Sequence, residues 1–210
     1  QPGLSEYLGY GRALHHCLRH AGEIIKAEGC GPMSAVLTAM DREFFMPFMP
    51  EKRMIEIKRA AKEALIRFVR QYEQDMLRIR DMESRIEFPL QNAIVAGKVD
   101  VILHDGDAIE VREYKSADTS ASPDEVAMQV RLYSRGLQSI GEDVRHGSVA
   151  FLQDSRVAEV GVTEEEVQRV ITTAEQHIAG IVGRRFTPCP GSGCERCDQG
   201  AICRWRAGAS

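Results

Sequence analysis

The stretch from Asp100 to Lys115, DVILHDGDAIEVREYK, restricts the fold more than any other part of the chain. Two alternating segments flank an Asp-Gly pair, a strong signal for a β-hairpin. With Asp105 and Gly106 as the turn residues, His104 faces Asp107, Ile102 faces Ile109 and Asp100 faces Val111. Side chains alternate with a period of two, so Asp100 and Ile102 share a face with Ile109, Val111, Glu113 and Lys115. Asp100 and Glu113 become diagonal neighbours with Cβ atoms roughly 7 Å apart. Both carboxylates can then reach one divalent cation, and Lys115 lies one step further along. Unpaired, such charges would be costly to bury. Two readings of the hairpin stand side by side: Glu113 and Lys115 pair loosely at a wet strand end, or the three charges form a site.

The flanking sequence gives an alternation of helices and strands. Residues 5–28 predict a helix that carries His15 and His16, closed by Gly29 and Gly31 with Pro32 beyond. Residues 33–46 suit a second helix. Residues 51–80 carry Met54, Ile57, Ala61, Leu65, Phe68, Val69 and Tyr72 at helical spacing. The other face of that segment holds Lys52, Arg53, Lys58, Arg59, Lys62, Arg67 and Arg70, which suits either a solvated face or a contact surface for phosphates. From Ser84 the pattern turns extended through RIEFPL and AIVAGKVDVIL. Ser122, Pro123 and Glu125 form the start signal of a helix running to Gly141. GSVAFLQDSRVAEVGV reads as another hairpin, and Thr163 with Glu166 opens a last helix ending near Ile181. Gln129 and Tyr133 lie four residues apart, on one face of their helix.

Cysteine usage is uneven. Cys17 and Cys30 are scattered, whereas Cys189, Cys194, Cys197 and Cys203 crowd the last stretch, after Phe186. The sequence shows no secretion signal, and such clustering then argues for metal rather than disulfides. Four cysteines suit tetrahedral zinc. Read alone, CERC would also admit a redox pair, although those sit at helix starts rather than in a Pro/Gly-rich tail. No apolar run approaches the roughly 20 residues of a membrane span, so no membrane partner and a cytoplasmic location are expected. The net charge of −4 does not advertise nucleic acid, yet a basic groove can coexist with an acidic exterior. The chain opens on Gln1 rather than Met, and is expected to be a piece of a longer protein.

The order of these features resembles the RecB-type nucleases of the PD-(D/E)XK superfamily. It is most similar to the C-terminal nuclease domains of superfamily I helicase-nucleases such as AddA, AddB and the UvrD-like enzymes, with CRISPR-associated iron–sulfur exonucleases as relatives. The resemblance rests on GRALH for a Gly-x-x-x-His motif, GKVD for G-x-x-D, EYK for D/E-x-K, QVRLY for Q-x-x-x-Y and CERCDQGAIC for C-x-x-C-x5-C. Each motif is weak alone; five in order are specific, and they span Gly11 to Cys203.

The resemblance implies an α/β fold with a restriction-endonuclease-like mixed central sheet flanked by helices. It also implies a helical N-terminal part (residues 1–82), a nuclease core (83–185) and a Cys-rich tail (186–210). The implied activity is Mg2+- or Mn2+-dependent hydrolysis of DNA by an exonuclease acting on single-stranded or unwound ends, in repair or recombination, with an attached or partner helicase. Asp100, Glu113 and Lys115 would be catalytic. His15, Asp100, Glu113 and the backbone carbonyl of Tyr114 would hold the metal, while Gln129 and Tyr133 would bind the strand or brace the site. Arg184, Arg185, Arg204 and Arg206, with the basic helix face, would line a path for DNA. Cys194, Cys197 and Cys203, with Cys189 as a local fourth ligand, would hold a [4Fe–4S] cluster or Zn2+. The family takes one cluster cysteine from upstream of its histidine motif; here the ten residues before Gly11 contain no Cys. The alternatives are an inactive DNA-binding or interaction domain that keeps the nuclease fold, and a stand-alone exonuclease of the CRISPR-associated type.

Overall fold

One sheet carries the chain. In the computed structural model, which describes residues 6–47, 49–116, 123–191, 193–194, 197 and 199–206, five strands lie in the order β1-β2-β3-β4-β5. They are β1 Ile79–Leu90, β2 Ala93–Asp105, β3 Ala108–Lys115, β4 Val144–Phe151 and β5 Arg156–Val160. All neighbours are antiparallel except β3 and β4. That parallel pair needs a long crossover, which α5 (Pro123–Gln138) supplies. Helices α1 (Glu6–Glu28), α2 (Pro32–Glu43), α3 (Glu51–Gln71) and α4 (Glu73–Leu77) precede the sheet, and α6 (Glu164–Val182) follows it. The fold class is the expected mixed α/β sheet flanked by helices. The chain divides into two compact units, residues 1–172 and 173–210. No helix among the described residues is long and apolar enough to cross a membrane.

Local chemistry accounts for most element boundaries. Gly29 ends α1 in the left-handed region (φ +63), and Pro32 opens α2 where a missing N–H costs nothing. At the start of α6 the Thr163 N–H and hydroxyl both donate to Glu166 Oε2, and the Glu166 N–H points back at Thr163 Oγ1. This is the reciprocal capping arrangement that the sequence predicts. The corresponding Ser122 lies outside the described residues.

Three expectations need correction. The second helix stops at Glu43 rather than 46, because Phe44 is extended (ψ 106); Phe44 and Met46 nevertheless remain buried. The third helix does not reach residue 80. It breaks at Tyr72 (φ −122), one short turn follows, and Ile79 already begins β1. Arg80, Asp81 and Glu83 hid this strand, but β1 is the sheet edge, where charged side chains are normal. They are also paired: Arg80 meets both oxygens of Glu142 at 2.8 Å, Lys26 reaches Asp81 at 3.4 Å and Lys98 reaches Glu83 at 3.1 Å. Finally, Asp105 pairs with Ala108 and Ile102 with Val111, so the turn residues are Gly106 and Asp107. Gly106 takes φ +62 while Asp107 does not, the pattern of a hairpin turn with glycine first.

The core lies largely between the sheet and α1–α4. Leu14 and Leu18, Met40, Leu65 and Phe68, and Met76 pack on Val101, Leu103, Tyr114, Ala150 and Leu152. The other face takes α5, which approaches closely enough that a β-carbon on Gly147 would sit 2.8 Å from Val130 Cγ1. On the basic face of α3, Lys58 and Lys62 reach back to the Asp41 carbonyl and carboxylate, at 2.9 and 2.8 Å.

Beneath the α1–α4 layer lies a buried ionic group that periodicity does not suggest. The Arg112 Nε donates to Glu110 Oε1 (3.0 Å) and Ser148 Oγ (2.8 Å), and its Nη1 to Asp75 Oδ2 (2.7 Å). Arg78 adds contacts to Asp75 (2.9 Å) and Glu110 (3.3 Å). The network ties α4 to β3 and β4. Removing one member of a buried ion network leaves the others uncompensated, at a cost of about 3–5 kcal/mol. Arg112→Ala is therefore expected to lower the unfolding free energy by that order in chemical denaturation, and a loss below about 1 kcal/mol would show that the network is not structural.

Candidate functional site

The β2–β3 ladder ends at Val101–Arg112, and one residue further the chain exchanges main-chain pairing for a side chain. The Tyr114 N–H donates to Asp100 Oδ2 at 2.8 Å. On the other side of Asp100, the β1 pairing skips Glu83, which has φ +50. Asp100 thus sits where both neighbouring ladders are interrupted, with its carboxylate clamped to the amide of β3. Its second oxygen lies 3.2 Å from His15 Nδ1, on α1. The His15 ring also meets the Tyr114 ring edge-on, with centroids 6.3 Å apart. Tyr114 itself turns its side chain into the α1–α4 core, leaving its main chain beside Asp100.

On β3, Glu113 and Lys115 share a face, and Lys115 Nζ donates to Glu113 Oε1 at 2.7 Å. The same ammonium is 3.2 Å from Gln129 Oε1, and the Gln129 amide donates to Tyr133 Oη at 2.8 Å. Asp100, Glu113, Lys115, Gln129 and Tyr133 therefore form a continuous polar row from β2 across β3 to α5, with His15 joining from α1. The register correction moves Asp100 by two residues relative to β3, which keeps it on the face of Glu113 and brings it nearer. Two motif glycines differ in purpose. A β-carbon on Gly97 would fall 2.6 Å from the Tyr133 ring, so the first residue of GKVD makes room for the last residue of QVRLY. A β-carbon on Gly11 would meet Ser116 Oγ at an ordinary 3.5 Å, so sterics do not explain that glycine. The Gly97–Tyr133 fit and the Asp100–Tyr114 clamp are features that sequence spacing does not contain.

Electrostatics single out Glu113. Burial and the adjacent Asp100 charge push its carboxyl up to about 7, against a smaller opposing effect of Lys115. Its Oε2 is buried without a hydrogen-bond partner. Burial pulls His15 down, but the Asp100 hydrogen bond and the charges of Asp100 and Glu113 outweigh it, so His15 is raised overall. Two carboxylates and an imidazole in one place, with one oxygen orphaned, are a donor set suited to a hard or borderline divalent cation. His15, Asp100 and Glu113 stand in a row with Asp100 in the middle rather than as one closed group of ligand atoms.

The tail contrasts with this. Its turns are held by bonds such as Cys194 N–H to the Gly191 carbonyl (3.0 Å) and Gly200 N–H to the Cys197 carbonyl (2.8 Å). Among the described residues no three cysteine sulfurs converge within 4.8 Å. Among the described residues the arrangement does not preform a cluster or zinc site. Cys17 is buried in the core, which pushes its thiol up to about 12. Arg184, Arg185, Arg204 and Arg206 belong to the second unit, where the Arg204 guanidinium stacks on Trp205.

The state of Glu113 sets a sign for stability against pH. An acid raised from 4.5 to about 7 on folding binds its proton more tightly in the native state. Its contribution is thus most favourable below about pH 4.5, is lost as pH rises towards 7, and stays lost above. Without metal, Glu113→Gln is expected to be more stable than wild type at pH 8 by about 1–3 kcal/mol, the gap closing near pH 4.5. Thermal melts at the two pH values check this; a variant destabilised at pH 8 would contradict it.

Comparison with known proteins bears on the whole chain. The family model described as the PD-(D/E)XK nuclease superfamily matches residues 2–204. Among solved structures, a proposed exonuclease from Eubacterium rectale aligns with TM-score 0.50 at 16% identity, covering 86% of this chain and 72% of its own. That likeness speaks for the fold. The protein SSO0001 aligns with TM-score 0.44 at 15% identity, covering 93% of this chain and 85% of its own. The protein VC1899 from Vibrio cholerae aligns with TM-score 0.30 at 16% identity, over 83% and 53%. No curated protein matches. With the family model spanning nearly every residue, and the mixed sheet and helical layers to match, the chain belongs to the PD-(D/E)XK nuclease superfamily.

Proposed function

We propose that this nuclease hydrolyses DNA phosphodiesters at the Asp100–Glu113–Lys115 row, with a Mg2+ or Mn2+ ion held by Asp100, Glu113 and His15 and the main-chain carbonyl of Tyr114. The observation that carries the reading is Glu113: a buried carboxylate with one orphaned oxygen, set beside a second carboxylate. Such a pair is unfavourable in a resting fold and becomes favourable when a cation joins it. When bound, the metal lowers the pKa of a coordinated water and offsets charge growing on the phosphate.

The protein's own groups do the rest. Asp100 is oriented by the Tyr114 amide and by His15, which hold its carboxylate at the break in the sheet. Lys115 is held between Glu113 and Gln129, which fixes the ammonium where it can orient the attacking water or steady the transition-state phosphate. Gln129 takes its own position from Tyr133, and Tyr133 from the space left by Gly97. Gln129 and Tyr133 are therefore assigned a bracing role, with contact to the strand backbone as their second task. The basic residues of α3 are assigned to the DNA path.

Exonuclease action is supported by the description of the Eubacterium rectale relative. Attachment to a helicase, and a preference for single-stranded or unwound ends, rest on the order of the motifs alone. The complete polar row disfavours an inactive binding domain, because such a domain has no need to keep a buried carboxylate pair.

Linear and circular single-stranded DNA, incubated with the protein and Mn2+ or Mg2+, test the proposal. Linear DNA is expected to be degraded and circular DNA spared. Asp100→Ala and Lys115→Ala are each expected to lower the rate at least about 100-fold, the scale of losing a metal ligand or a transition-state contact. Wild-type rates in both variants would contradict the assigned chemistry, and cleavage of circles would contradict the exonuclease mode.

A further inference from the structure

A second cluster of metal-ligating side chains lies on the same helix as His15, and the row described above does not use it. His16 and His20 are one helical turn apart on α1, and Glu43 is the last residue of α2. Glu43 Oε2 is 3.2 Å from His16 Nε2 and 3.8 Å from His20 Nε2. Among the described residues, this is the one group in which three ligand atoms from His, Cys, Asp or Glu all lie within 4.8 Å of one another.

We propose that His16, His20 and Glu43 bind a zinc-type transition-metal ion that staples α1 to the C-terminal end of α2, at a site separate from the nuclease centre. Three observations carry this. The first is the spacing. Zinc bonds to nitrogen and oxygen are about 2.0–2.1 Å, so tetrahedral ligand atoms stand about 3.3 Å apart. The separations of 3.2 and 3.8 Å from Glu43 bracket that value, all three ligand atoms lie within 4.8 Å of one another, and the fourth position falls to water. The second is the support behind one ligand. Glu23 Oε2 lies 3.2 Å from His20 Nδ1. A carboxylate accepting from Nδ1–H fixes the tautomer that leaves Nε2 with a free lone pair, as at many metal sites.

The third observation is a cation already at the cluster. An Arg19 guanidinium nitrogen is 3.3 Å from His16 Nδ1 and 3.1 Å from His20 Nε2. Arg19 also bonds Glu23 at 2.6 Å and lies 3.6 Å from Glu83, so it has partners to retain when it leaves the histidines. Arg19 thus competes with the ion. The donor set separates the two centres by chemistry. Two imidazoles and one carboxylate favour zinc and its neighbours, whereas Asp100 and Glu113 offer the hard oxygens that suit Mg2+. An ion bound here stabilises the folded chain by mass action, because the unfolded chain does not hold these three groups together.

The test is a Co2+ titration of the whole, metal-stripped chain in excess Mg2+, followed by visible and near-ultraviolet absorbance and then displacement by Zn2+. The expected result is one Co2+ equivalent with visible d–d bands and without the intense near-ultraviolet band of thiolate ligation, which would mark the tail cysteines. His16→Ala and His20→Ala should each weaken that component at least about tenfold, and Arg19→Ala should tighten it. Asp100→Ala should leave it in place. Nuclease rates in Mg2+ should not change in His20→Ala, so this inference and the proposed nuclease chemistry fail separately. Unchanged affinity in His20→Ala would overturn the proposal. So would loss of the component in Asp100→Ala alone, or its absence from both wild type and Arg19→Ala.

Discussion

The arrangement around the proposed site turns on one unfavourable contact, the buried Glu113 carboxylate set beside the half-buried Asp100. Burial and the neighbouring Asp100 charge raise the proton affinity of Glu113, and the fold must compensate. It does so from three directions. The Tyr114 amide holds Asp100, His15 approaches from α1, and Lys115 neutralises one oxygen of Glu113. The remaining Glu113 oxygen is buried beside Asp100 and meets no donor. A fold selected only for stability would place an apolar residue there, so the uncompensated oxygen is where structure and function part.

The position of these groups also explains why β3 is charged on both faces. One face carries Glu113 and Lys115; the other carries Glu110 and Arg112, closed off by Asp75, Arg78 and Ser148. The second network is fully paired and fixes α4 against the strand. The contrast between a satisfied ionic group and an incomplete one, a single residue apart, distinguishes scaffold from site.

Much of this was legible in the sequence because β-strand parity is robust. Placing the hairpin turn at Asp105–Gly106 rather than Gly106–Asp107 shifts the register by two residues, and a shift of two keeps every side chain on its face. A shift of one would have scattered the acids. Caps were legible too, at Gly29 and Thr163, since their chemistry is local. What escaped depends on tertiary context. The charges of β1 are tolerated because it is an edge, which only topology reveals. The buried Arg112 reads as an exposed strand residue until Asp75 and Glu110 are brought to it. The match between Gly97 and Tyr133 joins two motifs that are separate in sequence.

The most direct test of the central claim is binding of Mn2+ to the whole chain, read from the loss of the free-ion electron paramagnetic resonance signal, in wild type and in Glu113→Gln. The amide keeps the size of the carboxylate and removes its charge. Saturable binding in wild type that weakens at least about tenfold in Glu113→Gln is the predicted result. Equal affinity in the two proteins would mean that the buried carboxylate pair is not a metal site.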